Sequence, residues 1–148
     1  MKNLLHFLLI AIAFSACKTY TEDDKIGFEK TIKNFLKKND LSLQKTSSGL
    51  YKKRILTGEG QLIHYTDSVS ITYQGKLLNG KIFDNQKSPQ TMAIRDLIAG
   101  WKEVLIGARK GDEWMMIIPP QLGYGQNKLD DIPVNSILVF KMKIEDVK

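Results

Sequence analysis

Two stretches of alternating apolar and polar residues constrain the fold more than any other feature of this sequence. Val69, Ile71 and Tyr73 alternate with polar residues, and a second alternating run extends from Leu138 to Ile144. Successive side chains of a β-strand point to opposite faces of a sheet, so each run predicts a strand with one buried face. The chain is therefore expected to build an antiparallel sheet over an apolar core.

The residues around these runs predict turns, a buried strand and one short helix. Asn79-Gly80 is a strong hairpin signal, because both residues tolerate positive φ. The mostly apolar run from Glu113 to Ile118 stops at Pro119-Pro120, which predicts a buried strand that ends there. The apolar positions that mark the short helix are Leu97, Trp101, Val104 and Leu105. We expect an α+β domain in which a curved antiparallel sheet wraps over one short helix.

Length, charge and metal-binding residues narrow the possible functions. The 148 residues, 43% of them hydrophobic, suffice for one domain with a core. The net charge of +6 is spread along the chain, so we expect no nucleic-acid partner. One cysteine and two histidines, of which His6 lies in the N-terminal apolar segment, cannot build a Cys/His zinc site or a Cys–His nucleophile pair. We expect neither a metal nor a cofactor.

Residues 1–16 resemble a bacterial lipoprotein signal peptide that ends before Cys17. Lys2 supplies the positive start, and the apolar run from Leu4 to Phe14 is too short to span a bilayer. Cleavage of such a signal leaves the cysteine as the lipidated first residue; a plain secretory signal is the alternative. By resemblance to enterobacterial sorting, Lys18 favours the outer membrane. We therefore expect a protein anchored through lipidated Cys17 in the envelope of a Gram-negative bacterium.

Residues 17–46 are expected to comprise the lipidated cysteine, a spacer and one amphipathic helix. Thr21 with Asp24 three residues later is a suitable helix start. The apolar positions that recur at helical spacing are Phe28, Ile32, Phe35 and Leu36. Three roles remain open for this helix: packing on its own domain, self-association through residues 21–38, or contact with lipid headgroups.

Four groups of segments after residue 47 match, in order, the pattern of one protein family. They are Val69–Gly75 with Asn79-Gly80 and Phe83-Asp84, then Ile98–Trp101 with Val104-Leu105, then Ile118–Pro120 with Leu122–Gly125, and last Ile132–Ser136 with Leu138–Phe140. In this order, and with fitting gaps, they resemble an FKBP-type peptidyl-prolyl cis-trans isomerase. The resemblance implies an FKBP-like isomerase domain at residues 47–148 and proline-containing polypeptides as substrates.

The resemblance also implies which residues form the site. The catalytic pocket would be lined by Tyr73, Phe83, Asp84, Trp101, Tyr124 and Phe140, and further substrate contacts would come from Leu97, Ile98, Ile132 and Met92. Gln90 and Met92 stand where many family members have phenylalanine. The residues that make the loop after Tyr124 more polar than in many members are Lys128, Asp130 and Asp131. These departures predict weaker macrolide binding and an altered substrate preference.

Rotation about an X–Pro bond breaks no covalent bond, so such a pocket needs no nucleophile or metal. An apolar cavity favours the twisted amide over the planar one, which is what catalysis of rotation requires. Taken singly, each of these side chains also suits an ordinary core, turn or loop position, and only the joint pattern favours a pocket. The alternative functions are a weakly catalytic or non-catalytic chaperone, or an assembly subunit of an envelope complex.

Overall fold

The computed structural model describes residues 19–148, so the predicted signal peptide and Cys17 lie outside the described residues. Within this range the helices are α1 (Glu22–Lys38) and α2 (Ala99–Leu105). The strands are β1 (Gln44–Lys45), β2 (Tyr51–Leu56), β3 (Ser68–Leu77), β4 (Ile82–Ala93), β5 (Glu113–Ile118) and β6 (Leu138–Val147). These elements confirm the predicted α+β class.

The strands form one antiparallel sheet in the order β1-β2-β5-β6-β3-β4. β3 and β4 are joined by the predicted Asn79-Gly80 hairpin, in which Gly80 has a φ of 88°. Such a left-handed conformation is free of Cβ strain only for glycine, so this residue permits the tight turn. The C-terminal strand β6 lies between β5 and β3, which brings the two halves of the domain into one layer.

The inner face of the sheet and α2 enclose the main core. Ile71 of β3, Met116 of β5 and Ile144 of β6 are fully buried and belong to the same cluster as Trp101 and Leu105 of α2. The alternation that predicted β3 and β6 therefore places their apolar side chains against α2. Burial of this apolar surface is the main term that favours folding.

The outer face of the sheet is partly covered by α1. Ile32 and Leu36 of this helix pack with Ile117 of β5 and Val139 of β6, and all four are buried. The alternation along β6 predicts that Val139 faces solvent, but α1 covers this part of the strand. The contact shows that α1 packs on its own domain, as one of the three sequence-based alternatives proposed.

The start of α1 has the hydrogen bonds that its sequence predicts. The Asp24 backbone N–H donates to the Thr21 hydroxyl at 3.1 Å, and the Thr21 N–H donates to the Asp24 carboxylate at 2.9 Å. Further along, Glu29 pairs with Lys33 at 2.7 Å and with Lys45 of β1 at 2.6 Å. Hydrogen bonds from these two lysines lower the pKa of Glu29 to about 2. Neither helix of residues 19–148 is long and apolar enough to cross a bilayer.

The start of α2 differs from the sequence-based expectation. Leu97 and Ile98 precede α2 in extended conformation, although the apolar spacing placed Leu97 on the helix face. In the sheet, β2 pairs with β5, and β1 pairs only with Tyr51 and Lys52 at the start of β2.

Candidate active site

Phe83 and Asp84 are consecutive on β4, yet both side chains reach the inner side of the sheet. Gly75 pairs with Asp84 and Lys76 pairs with Ile82, so Phe83 is an extra residue on β4. Such a β-bulge interrupts the alternation of side chains and re-aims one of them. As a result Phe83 packs on the main core while Asp84 still meets Tyr73, the inward-facing residue of the neighbouring strand.

The Asp84 carboxylate is oriented by two donors. The Tyr73 hydroxyl donates to Oδ2 at 2.6 Å, and Gln86 Nε2 donates to Oδ1 at 2.9 Å. These hydrogen bonds hold the carboxylate in one place on a half-buried surface. Gln86 is not among the predicted site residues, although its position two residues after Asp84 on one strand indicates the same face of the sheet.

An aromatic cluster lies next to this carboxylate and consists of Tyr73, Phe83, Trp101 and Phe140. Phe140 lies among the others, with ring centroids 5.0 Å from Trp101, 5.5 Å from Phe83 and 6.2 Å from Tyr73. Tyr73 and Trp101 are 4.8 Å apart, with an interplanar angle of 80°. Edge-to-face contacts of this kind are the arrangement that aromatic quadrupoles favour.

The aromatic cluster combines fully buried rings with rings that are only half-buried. Trp101 is 5% exposed and Phe140 is 2% exposed, so both lie beneath the surface. Tyr73, Phe83 and Asp84 are only half-buried and therefore reach solvent. The aromatic cluster is therefore partly accessible to solvent, and the Asp84 carboxylate lies beside it.

Gly75 on β3 lets two rings of the aromatic cluster lie against the strand. A Cβ atom at this position would stand 2.6 Å from Phe140 Cε1 and 2.6 Å from two atoms of the Phe83 ring. Real Cβ contacts are essentially never that short. Glycine at this position is thus required for the packing of the aromatic cluster, and Gly75 is not among the predicted site residues.

Tyr124 lies in the loop that follows β5, after the turn Pro120–Leu122. Its side chain packs half-buried on the main core, and its hydroxyl forms no hydrogen bond with any residue between 19 and 148. Burial raises the pKa of Tyr124, and the negative charge of Asp84 raises it further. The hydroxyl is therefore a neutral donor close to the Asp84 carboxylate.

The other predicted contact residues belong to the same core. Leu97, Ile98 and Met92 are half-buried against it, and Ile132 is buried within it. Met92 pairs with Val69, which precedes Tyr73 by four residues on β3. At about 3.3 Å per residue this is a separation of roughly 13 Å along the strand, so the strand register does not bring Met92 beside the Tyr73–Asp84 pair.

The comparisons with known proteins agree with this architecture. Residues 60–145 match the family of FKBP-type peptidyl-prolyl cis-trans isomerases. The chain is 39% identical to the FKBP-type peptidyl-prolyl cis-trans isomerase FkpA of Buchnera aphidicola subsp. Schizaphis graminum, over 84% of this chain and 54% of that protein. It is 34% identical to the peptidyl-prolyl cis-trans isomerase Mip of Coxiella burnetii, over 75% of this chain and 50% of that protein. The chain thus spans about half the length of the curated relatives it matches.

Two solved structures resemble the fold. The crystal structure of FkpA from Escherichia coli superimposes with a TM-score of 0.73 at 33% identity, covering 86% of this chain and 62% of that chain. A peptidyl-prolyl cis-trans isomerase from Pseudomonas syringae gives a TM-score of 0.71 at 25% identity, covering 88% of this chain and 98% of that chain. The family resemblance drawn from the sequence motifs is confirmed: the chain belongs to the family of FKBP-type peptidyl-prolyl cis-trans isomerases.

Proposed function

We propose that this chain catalyses cis-trans isomerisation of X–Pro bonds in exported or envelope polypeptides, by binding the twisted amide in an aromatic depression formed by the aromatic cluster and Asp84. The observation that carries the proposal is the open aromatic cluster with the Tyr73–Asp84 pair at its rim. Residues 47–148 would act as the isomerase domain. Proline-containing polypeptides are the substrates that this activity requires.

The reaction needs selective stabilisation of the twisted amide. The barrier to rotation is about 20 kcal/mol, because amide resonance is lost on twisting. A thousandfold acceleration requires only about 4 kcal/mol of preference for the twisted form. A twisted amide no longer shares charge between its carbonyl and nitrogen. An apolar surface therefore stabilises it more than it stabilises the planar ground state.

Each part of the site has a role in this proposal. The buried indole of Trp101 forms the floor on which the proline ring packs, and the neighbouring rings form the walls. The hydroxyl of Tyr124 donates a hydrogen bond to a substrate carbonyl. Asp84, held by its two donors, places negative charge at a fixed position near the rotating group. None of these roles requires proton transfer.

A proline-peptide isomerisation assay on the full chain tests the proposal. Tyr124→Phe removes only the hydroxyl, and we expect kcat/KM to fall about tenfold, the cost of one well-placed hydrogen bond. Phe83→Ala and Asp84→Val should lose more activity with unchanged near-UV circular dichroism. Tyr65→Phe is the matched control, because Tyr65 is 56% exposed and outside the site.

The same assay separates the enzyme from the alternative function. A parent chain without measurable turnover that still slows aggregation of an unfolded client would replace the isomerase by a chaperone or an assembly subunit. Gln90, exposed on β4 where many family members have phenylalanine, is the residue that favours this second reading.

We further propose that the protein is lipid-anchored through Cys17, at the outer membrane of a Gram-negative bacterium. The order of charged start, short apolar run and cysteine in residues 1–17 supports this, and the two curated relatives described above, from Buchnera aphidicola and Coxiella burnetii, come from bacteria. Metabolic labelling with a fatty acid should mark the parent but not Cys17→Ala. Labelling of both, or of neither, would contradict the anchor.

Self-association through residues 21–38 is proposed for the side of α1 that faces away from the sheet. Ile26 of α1 is 62% exposed, so its apolar side chain is accessible to a second copy of the chain. Sedimentation of the full chain should show a dimer that Ile26→Asp converts to a monomer. A monomeric parent chain would remove this proposal.

A further inference from the structure

We infer that a groove between the N-terminal segment (residues 19–25) and the Tyr124 loop (residues 123–127) binds the polypeptide chain next to the proline, through its backbone peptide groups. This inference rests on the proposed isomerase function, because the groove begins where the aromatic depression ends. Tyr124 belongs to both: it packs on the main core, and it also lines the groove.

The groove has the size of a ligand site and one fixed wall. Its volume is about 490 Å³, within the range of pockets that hold small ligands. On one side lies Tyr20, which precedes α1, and on the other side lie Gln126 and Asn127 of the Tyr124 loop. A polypeptide whose proline occupied the depression would pass Tyr124 and enter this groove.

Tyr20 is held in place from two directions. Its hydroxyl donates to Asn135 Oδ1 at 2.6 Å, and its ring packs edge-to-face on Phe28 of α1, with centroids 5.3 Å apart. The Asn135 backbone N–H donates in turn to the Gly125 carbonyl at 2.7 Å, next to Tyr124. A wall that is ordered before binding costs little entropy when the substrate arrives.

The opposite side of the groove offers unpaired amide groups. Neither Gln126 nor Asn127 forms a side-chain hydrogen bond with any residue of the described range 19–148. The Asn127 backbone N–H donates to the Tyr124 carbonyl at 3.0 Å, which holds this turn in place. A carboxamide can both donate and accept hydrogen bonds, as a peptide group does.

The charge of the groove favours peptide groups over a charged ligand. Lys25 is the cation that lines it, and Glu22 pairs with Lys25 at 2.6 Å. A compensated ion pair at the surface attracts ions weakly. Recognition would therefore depend on carboxamides and on the Tyr20 ring, which accept many different flanking residues.

Two peptides and one set of variants test the inference on the full chain. The short substrate is a blocked tetrapeptide with one X–Pro bond, and the long substrate carries the same core between alanine- and serine-rich flanks. We expect the parent to favour the long substrate about tenfold in kcat/KM, or 1.4 kcal/mol. In the variant Tyr20→Ala/Gln126→Ala/Asn127→Ala this long-to-short ratio should fall toward one.

Matched controls and a second measurement keep the test decisive. Gln61→Ala and Asn34→Ala remove carboxamides outside the groove and should keep the parent ratio. If the triple variant does not fold, Gln126→Ala/Asn127→Ala, which changes two exposed side chains, takes its place. The inference about the groove is contradicted if the long-to-short ratio is unchanged in the triple or the double groove variant, or if the parent shows no preference for the long substrate. If the parent turns over neither peptide, the proposed isomerase activity is contradicted. The inference about the groove is then still tested by the ratio of the Kd values of the two peptides, measured by fluorescence anisotropy.

Discussion

Tyr73 combines packing and hydrogen bonding in one side chain. Its ring contacts Trp101 in the aromatic cluster, while its hydroxyl donates to Asp84 at 2.6 Å. Burial raises the pKa of Tyr73, and the hydrogen bond to Asp84 raises it further. The phenol therefore remains a protonated donor throughout the neutral range, and the carboxylate keeps its partner.

The raised pKa of Tyr73 predicts a loss of stability in alkali. Below about pH 10, the pKa of an unfolded tyrosine, its contribution is fully present. Above that pH the unfolded chain releases the proton that folded Tyr73 retains, so the free energy of unfolding falls as the pH rises toward the folded pKa. Urea unfolding at a series of pH values should show a smaller alkaline loss in Tyr73→Phe than in the parent. The exposed-site variant Tyr65→Phe should follow the parent, and equal losses in all three proteins would contradict the prediction.

The close approach at Gly75 predicts opposite effects for two Gly→Ala substitutions. In Gly75→Ala the new methyl group would press on Phe83 and Phe140, since a Cβ there lies 2.6 Å from both rings. Overpacking of this kind costs about 1–3 kcal/mol, and displacement of the rings should also lower kcat/KM. Gly27→Ala is the control: no atom lies within 4 Å of its Cβ position, and removing glycine from the interior of α1 should add about 0.5–1 kcal/mol. Equal thermal stabilities of the two variants would sink this reasoning.

At the scale of elements, irregularities in β4 bring the site residues together. The first is the bulge at Phe83. The second lies between Gln86 and Gln90, where β4 has three residues opposite the single residue Thr72 of β3. β4 is an edge strand of the sheet, and Pro89, which has no N–H to donate, is tolerated in such a strand. The bulge at Phe83 brings two consecutive residues, Phe83 and Asp84, to the aromatic cluster.

Helix α1 is the second element with a clear structural role, and two isoleucines on it predict how much it contributes. Ile32→Ala would leave a cavity at a fully buried position and should cost about 2–4 kcal/mol. Ile26 is 62% exposed, so Ile26→Ala should change the free energy of unfolding by no more than about 0.5 kcal/mol. Urea unfolding of both variants measures the difference. A similar loss in both would mean that α1 does not pack on the sheet in solution.

At the scale of the whole molecule, the two faces of the sheet have different tasks. The inner face, covered by α2, carries the aromatic cluster and Asp84. The outer face, partly covered by α1, supplies a second apolar core. The two layers meet where Tyr20, just before α1, hydrogen-bonds to Asn135 in the region after the Tyr124 loop. The N-terminal segment is thereby in direct contact with the side of the domain that carries the site.

The proposed chemistry predicts a pH-independent rate. Bond rotation transfers no proton, and the raised pKa values of Tyr73 and Tyr124 keep both phenols protonated. We expect kcat/KM for a short proline peptide to be flat between about pH 6 and about pH 8, in contrast to the bell-shaped profile of general acid–base catalysis. A profile that follows a single ionisation in this range would count against the mechanism.

Local sequence patterns predicted several of the secondary-structure elements, and the ordered motifs predicted the family. Period-two alternation predicted β3 and β6, Thr21 and Asp24 predicted the start of α1, and the Asn79-Gly80 pair predicted the hairpin. Each of these signals is local: a strand, a cap or a tight turn is set by the φ/ψ preferences and side-chain directions of neighbouring residues. The ordered motifs after residue 47 then indicated the isomerase family, which the comparisons confirm.

Contacts between segments that are distant in the sequence could not be predicted from local patterns. Strict alternation would place Phe83 and Asp84 on opposite faces of the sheet. The bulge in the register with β3 places both on the inner side. Val139 is buried because a helix about a hundred residues earlier in the chain packs over it. The bond from Tyr20 to Asn135 has a sequence separation of 115 residues and follows no local pattern. Periodicity describes how a segment turns about its own axis, whereas these contacts depend on how separate segments pack against each other in space.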